Sequence, residues 1–322
     1  MRGGLPPVML RAQRSRFFCA IHQLDTTEIT AGIVGAANNL QIPGDSDFRI
    51  LRRAAVYSSV AAGQLKVQFE VIPGERFFDV PLFASALGRG GSPWPPFRQH
   101  RILPAGAQFR MIVDDRQTVA AAAALRVAHI GEKIFRVPQD PPRLYAEQRD
   151  GWYTADFTAQ GIGAIGASAT LPGAIQIRSD HDFQITHLVI LCDSPEATLL
   201  IWSASPFHGW FSRACHASLL GATTFDADPP AGARPFILST PLWLQAKATL
   251  SVEAADLSAA ANRMQVIFGG FELRPPGGLP VTDELGQAIE DYEAERRGAA
   301  ALEPAGAGAG AELRRDYWRG GR

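Results

Sequence analysis

Apolar and polar positions alternate along much of this chain, in short runs separated by glycine and proline. Leu65-Lys66-Val67-Gln68-Phe69-Glu70-Val71 puts its polar groups on one face and its apolar groups on the other, the period-two pattern of a half-buried strand. Gln108 to Val113 and Met264 to Leu273 also read as strands, and Leu188 to Cys192 and Thr198 to Trp202 as buried ones. Ala120 to Ile130 fits a strand despite its alanines, and Phe236 to Leu238 and Leu242 to Val252 fit two more. Phe77 to Leu87 fits a strand or a short helix. Pro73-Gly74, Pro104-Ala105-Gly106 and the stretch from Gly88 to Pro96 are turn and loop signals. The spacing predicts about eight short strands in each half of the chain, an all-β sandwich pattern.

The halves also resemble each other. Leu40-Gln41-Ile42-Pro43-Gly44-Asp45-Ser46-Asp47-Phe48-Arg49-Ile50 returns as Ile175-Gln176-Ile177-Arg178-Ser179-Asp180-His181-Asp182-Phe183-Gln184-Ile185, with six of eleven positions identical. Each copy is followed by a strand, a loop of glycine, proline and aromatic residues, a proline turn, and a closing apolar strand broken at glycine. The closing strands are Leu125 to Gly131 and Met264 to Gly269. Self-similarity at this separation implies an internal duplication of one β-domain.

Boundaries follow from that repeat. An N-terminal arm is expected over 1–30, a first sandwich over 31–136, a proline-marked linker over 137–168 and a second sandwich over 169–275. The pattern then changes over 276–322. Thr282-Asp283-Glu284-Leu285 starts a capped helix with Leu285, Ile289 and Tyr292 on one stripe, ending near Arg297. An alanine- and glycine-rich spacer leads to a basic, aromatic tail containing Tyr317 and Trp318.

Composition narrows the function. A net charge of −1 gives no global field for nucleic acid or anionic lipid. Three cysteines, Cys19, Cys192 and Cys215, make no disulfide framework and point to a reducing compartment during assembly. No apolar run is long enough for a membrane-spanning helix, and the arginine-bearing N-terminus is a poor signal peptide. The 31 glycines and 23 prolines favour a turn-rich β protein over a helical one.

Candidate chemistry is sparse. Gly161 to Gly166 spells the dinucleotide fingerprint, but Leu171-Pro172-Gly173 leaves no room for the helix that must receive a pyrophosphate. Cys215-His216 and Cys192-Asp193 are the close pairs from which a nucleophilic cysteine could be built; Cys192, in an apolar run, otherwise reads as a buried thiol. The seven histidines include no H-x-H pair and the cysteines no C-x-x-C pair. Asp45, Asp47, Asp180 and Asp182 have two readings: hard-oxygen ligands for calcium, or Asx-turns before a strand. Trp94, Phe97, Phe207, Trp210 and Phe211 lie in aromatic loops that either contact a partner or sugar, or plug the end of a sandwich. Tyr317 and Trp318 suit a tethered peptide that docks on a neighbour. No catalytic residue, metal or cofactor is expected.

The duplicated Asp-x-Phe-x-Ile seed, the paired closing strands and the domain size resemble the double jelly-roll major capsid proteins of tailless, membrane-containing bacteriophages, over roughly residues 30–275. The chain departs from them between Ser85 and His100, where such proteins often carry helices and this one is rich in glycine and proline. The resemblance implies a trimer of pseudo-hexameric outline, with strands upright in the shell and termini making inner or lateral contacts. The expected protein is therefore a non-enzymatic virion structural protein, assembled in the host cytoplasm. Its main partners would be copies of itself, with other virion proteins and membrane contact through the termini also in view. The alternatives are a decoration or vertex protein and a carbohydrate- or receptor-binding β-sandwich module.

Overall fold

The architecture is seen in a computed structural model of the chain, which describes residues 8–24, 34–58, 64–72, 75–87, 101–115, 124–157, 170–205, 210–225, 235–257, 262–274 and 283–302. The fold is all-β: two tandem jelly-roll sandwiches followed by one helix. After β1 (Val8–Leu10), the first sandwich uses β2 (Ser15–Leu24), β3 (Val34–Gln41), β4 (Ser46–Ser58), β5 (Leu65–Ile72), β6 (Glu75–Arg76), β7 (Leu82–Phe83), β8 (Arg101–Leu103), β9 (Gln108–Asp115) and β10 (Leu125–Phe135). Next comes β11 (Arg143–Tyr145), which pairs back with β1. The second sandwich uses β12 (Glu147–Asp156), β13 (Thr170–Gln176), β14 (Asp182–Cys192), β15 (Thr198–Ser205), β16 (Cys215–His216), β17 (Phe236–Leu244), β18 (Thr249–Asp256) and β19 (Met264–Arg274).

The two halves have the same strand order. One sheet of the first sandwich runs β2-β10-β4-β8, and its counterpart runs β12-β19-β14-β17. The facing sheets run β3-β9-β5-β6, with β7 also on β5, and β13-β18-β15-β16. In each half the first strand therefore lies beside the last and the second beside the penultimate, the double Greek key of a jelly roll. Alternate residues fill the interior: Phe48, Ile50, Val67, Phe69, Phe109 and Met111 in the first sandwich, Phe183, Ile185, Leu200, Trp202, Leu250 and Phe268 in the second.

The repeated seed does equivalent work in both places. The Asp47 carboxylate accepts the Ala105 N–H at 2.7 Å, and the Asp182 carboxylate accepts the Ala246 N–H at 2.7 Å. Each thereby ties a strand start to a distant turn, not to an Asx-turn of its own. Ser46 Oγ donates to Asp45 at 2.9 Å, and His181, at the matching position, has Nδ1 2.9 Å from Asp180. The tethered turns match as well: Gly106 has φ of 75° and Lys247 has φ of 66°, so a lysine stands in the left-handed conformation that glycine adopts freely. Both closing strands meet an irregularity in register, where a Cβ on Gly131 would overlap the Arg49 carbonyl and one on Gly270 the Gln184 carbonyl. The counterpart of Gly131 is thus Gly270, one residue beyond the glycine that the sequence pattern pairs with it.

Several expected boundaries move. Ser15–Leu24 belongs to the first sandwich instead of a free arm. Its run Phe17-Phe18-Cys19-Ala20-Ile21 is covered on both faces and so shows no alternation. The expected linker contains β11 and β12. Strand β12 is polar because it is an edge strand with one face open to solvent, and that hides it from a hydrophobicity reading. The run from Leu242 to Val252 breaks at the turn around Lys247 into β17 and β18. Strand β10 starts at Leu125, after residues outside the described set, and Phe77 to Leu87 becomes β7 plus a 3-10 turn, Ala84–Leu87. The helix α1 (Asp283–Leu302) passes beyond Gly298 through an alanine run of high helical propensity. No described helix is long and apolar enough to cross a membrane.

Candidate functional site

Among the described residues, the junction between the sandwiches combines aromatic, backbone and polar side-chain contacts, and it grows from the alternation along β2. Phe18, Ala20 and Leu24 enter the first core, while Phe17, Cys19 and Ile21 point the other way and join the second. The Phe17 ring stacks on Trp202 at 6.5 Å and meets Phe211 and Phe236 edge-on at 5.9 and 6.1 Å. Such aromatic pairs add to the burial of their area. The backbone is engaged too. The Cys19 N–H donates to the Trp210 carbonyl at 2.8 Å, and the Ser212 N–H donates to the Cys19 carbonyl at 3.0 Å. The Ile21 N–H donates to Ser212 Oγ at 2.8 Å. Residues 210–212 therefore lie along β2 as a short added strand and close that edge of the sheet.

Polar contacts fix the register of the junction. Ser239 Oγ donates to the Gly131 carbonyl at 3.0 Å, and Thr240 Oγ1 donates to Glu132, whose other oxygen pairs with Arg49. The Tyr57 ring stacks on His216 at 3.6 Å, and Arg126 Nη1 lies 3.2 Å from His216 Nε2. Burial, reinforced by the Arg126 charge, lowers the His216 pKa to about 3. The imidazole is thus neutral at ordinary pH, and its Nε2 accepts from the guanidinium.

The sequence-selected residues distribute unevenly. Trp210 and Phe211 are buried at 5% and 6% exposure, and what they contact is the neighbouring sandwich of the same chain. Trp94, Phe97, Phe207, Tyr317 and Trp318 lie outside the described residues. The three thiols are buried. Burial pushes Cys19 well above the ordinary thiol range, Cys215 up to about 12, and Cys192 upward, so none is activated as a thiolate. Cys192 Sγ lies 3.0 Å from Thr198 Oγ1, a structural contact in the core. Among the described residues no group of three or more His, Cys, Asp or Glu side chains is placed to hold a metal.

A buried histidine pair was not singled out from the sequence. His22 Nε2 lies 2.9 Å from the Phe109 carbonyl and can only donate to it. Its Nδ1 must then accept from His129 Nε2, 3.1 Å away. Both rings sit among Phe69 and Phe109, and burial lowers their pKa values, that of His22 to about 4. Periodicity could have found this pair, because His22 and His129 occupy inward positions of strands that neighbour each other.

Also missed were the exposed apolar side chains. Trp152, on the edge strand β12, is 58% exposed, and Val80 and Phe83 are 65% and 43% exposed. The Trp152 indole and the His187 ring meet edge-on at 5.2 Å over Gly269, where any Cβ would collide with both. The available signal was a lone tryptophan in an otherwise polar stretch.

No family model matches the sequence, and no curated protein matches it. Among solved structures, that of the infectious bursal disease virus Gt strain is similar at 11% identity and a TM-score of 0.21, covering 84% of this chain and 74% of that one. The VP2 subviral particle of the same virus is similar at 12% identity and a TM-score of 0.22, covering 83% and 74%. The ANX1 ectodomain from Arabidopsis thaliana is similar at 10% identity and a TM-score of 0.17, covering 85% and 91%. With TM-scores this low, neither the virus structures nor the plant ectodomain selects a function for this chain.

Proposed function

We propose that this is a self-assembling structural protein of a virion, a capsid (major coat) protein whose two jelly rolls, produced by duplication of one domain, form trimeric, pseudo-hexameric capsomers. The observation that carries the reading is the pairing of one covered sheet face with one open one. In the first sandwich the outer face of β2 and β10 is covered by the second, while the corresponding face of the second presents Trp152 to solvent. A sandwich that already uses this face for a neighbour within the chain is suited to use it again between chains. A non-enzymatic role is part of the same proposal; the three cysteines are buried, and Asp47 and Asp182 tether turns. Host cytoplasm as the place of assembly, bacteriophage origin, contacts with other virion proteins and membrane contact through the termini belong to the same proposal.

The test is the mass of the protein expressed alone, followed by negative-stain microscopy. Trimers or closed particles are expected, and a strict monomer at high concentration contradicts the reading.

A further inference from the structure

The strand registers allow the junction inside the chain to be transferred, residue by residue, to the faces that it leaves open. Gly131 pairs with Phe18 and Gly270 with Gly151, so the counterpart of Cys19 on β2 is Trp152 on β12. On the other side of the junction, His216 pairs with Leu199 on β15, and Phe83 pairs with Lys66 on β5. A 3-10 turn follows directly in both halves, Ala217–Leu220 and Ala84–Leu87. The counterparts of Trp210, Phe211 and His216 are therefore Phe77, Phe78 and Phe83.

This correspondence takes in three of the exposed apolar residues, Trp152, Phe83 and Val80, while Ile237 and Leu257 lie outside it. Cys19 is fully buried because residues 210–212 cover it, whereas Trp152 at the same place on the second sandwich is 58% exposed. His216 is buried under Tyr57, whereas Phe83 at the same place on the first sandwich is 43% exposed, with Val80 at 65% close by. β12 is the edge of its sheet, paired only with β19 among the described strands. Each sandwich thus keeps the half of the junction that its partner in the chain does not use.

We infer that these halves meet between two copies of this chain: the β12 edge of one copy, with Trp152 at its centre, receives the segment Phe77-Phe78-Asp79 of the next, in the parallel register that Cys19 and Phe211 use within the chain. The contact is heterologous, since the two surfaces differ, so it propagates in one rotational sense and closes into a ring or continues as a filament. Its chemistry is strand addition along a sheet edge, with Trp152 and Phe83 supplying the apolar contact. The inference rests on the shell reading above and specifies the surfaces through which it would work.

Cross-linking tests the register. One preparation carries Trp152→Cys, a second carries Phe78→Cys, and the two are mixed and oxidised. Paired strands lie about 4.8 Å apart, within the span that a disulfide bridges. A disulfide-linked dimer in the mixture, and in neither preparation alone, is the expected result. A dimer from Trp152→Cys alone at the same yield would mean a self-complementary face and would overturn the inference. Because Phe78 also touches the first core, Trp152→Asp and Val80→Asp provide a second measurement at positions exposed enough to leave the monomer folded. Each should reduce assembled material at least tenfold. Unchanged assembly in both variants rejects these surfaces while leaving the shell reading intact, whereas a wild-type protein that never assembles rejects both.

Discussion

The two sandwiches share a frame and differ in what fills and covers it. The first places two hydrogen-bonded histidines in its core, and register puts Ala155 and Phe268 at the equivalent positions of the second. The first has the outer face of β2 and β10 covered by aromatic residues of its neighbour, and the second leaves that face open around Trp152. Strand order, tethered turns and close-approach glycines are the features the two halves hold in common. Side-chain identity, in the cores and on the outer faces, is where they part. A repeated frame thus acts as an internal control, because each special residue can be compared with its counterpart in the other half.

The largest effects should come from the shared frame. Valine at Gly131 or at Gly270 has no space against the carbonyl opposite, so each variant should lose more than about 4 kcal/mol or fail to accumulate as soluble protein. Folded protein from one variant but not the other would break the equivalence of the two glycines. Next is Phe17→Ala, which empties the aromatic cluster at the junction. A loss of about 3–5 kcal/mol is expected, with one unfolding transition separating into two as the sandwiches uncouple. A single unshifted transition in denaturant would show that the junction does not couple them.

The histidines distinguish the cores by pH. Their folded-state pKa values lie below the unfolded value near 6.5, so the unfolded chain binds more protons than the folded one in acid. Stability is therefore fully present above about pH 6.5 and falls as the pH drops toward 4, with a limiting slope on the order of 1.4 kcal/mol per pH unit for each histidine. The double variant His22→Ala, His129→Phe gives the first core the residues of the second and should flatten this slope, leaving the share due to His216. An unchanged slope in urea titrations between pH 4 and 7 would contradict the assignment. The smallest effect is at the matching turns: Lys247→Gly removes a left-handed lysine and should stabilise by about 1 kcal/mol, while Gly106→Ala should destabilise by a similar amount.

The repeat and the all-β class were legible because the Asp-x-Phe-x-Ile seed repeats a structural task. Asp47 and Asp182 each hold a turn, and Phe48 and Phe183 each enter a core. Strands covered on both faces, or carrying few large apolar residues on the covered face, were harder to read. Ser15–Leu24 lacks alternation since both its faces are buried, and Glu147–Asp156 lacks apolar content since one face is open. The aromatic loop at Trp210 and Phe211 stood out in the sequence, but its place against β2 did not, because a face supplied by residues about 190 positions away has no local signature. Trp152 acquires meaning only from its counterpart Cys19, and that comparison needs the register.

Light scattering of the wild-type chain and of Trp152→Asp, over the same range of concentration, tests the account most directly. The wild-type protein should have a mass of three chains or more, and the variant should be a folded monomer. Equal masses for the two proteins, whether both assembled or both monomeric, would contradict it.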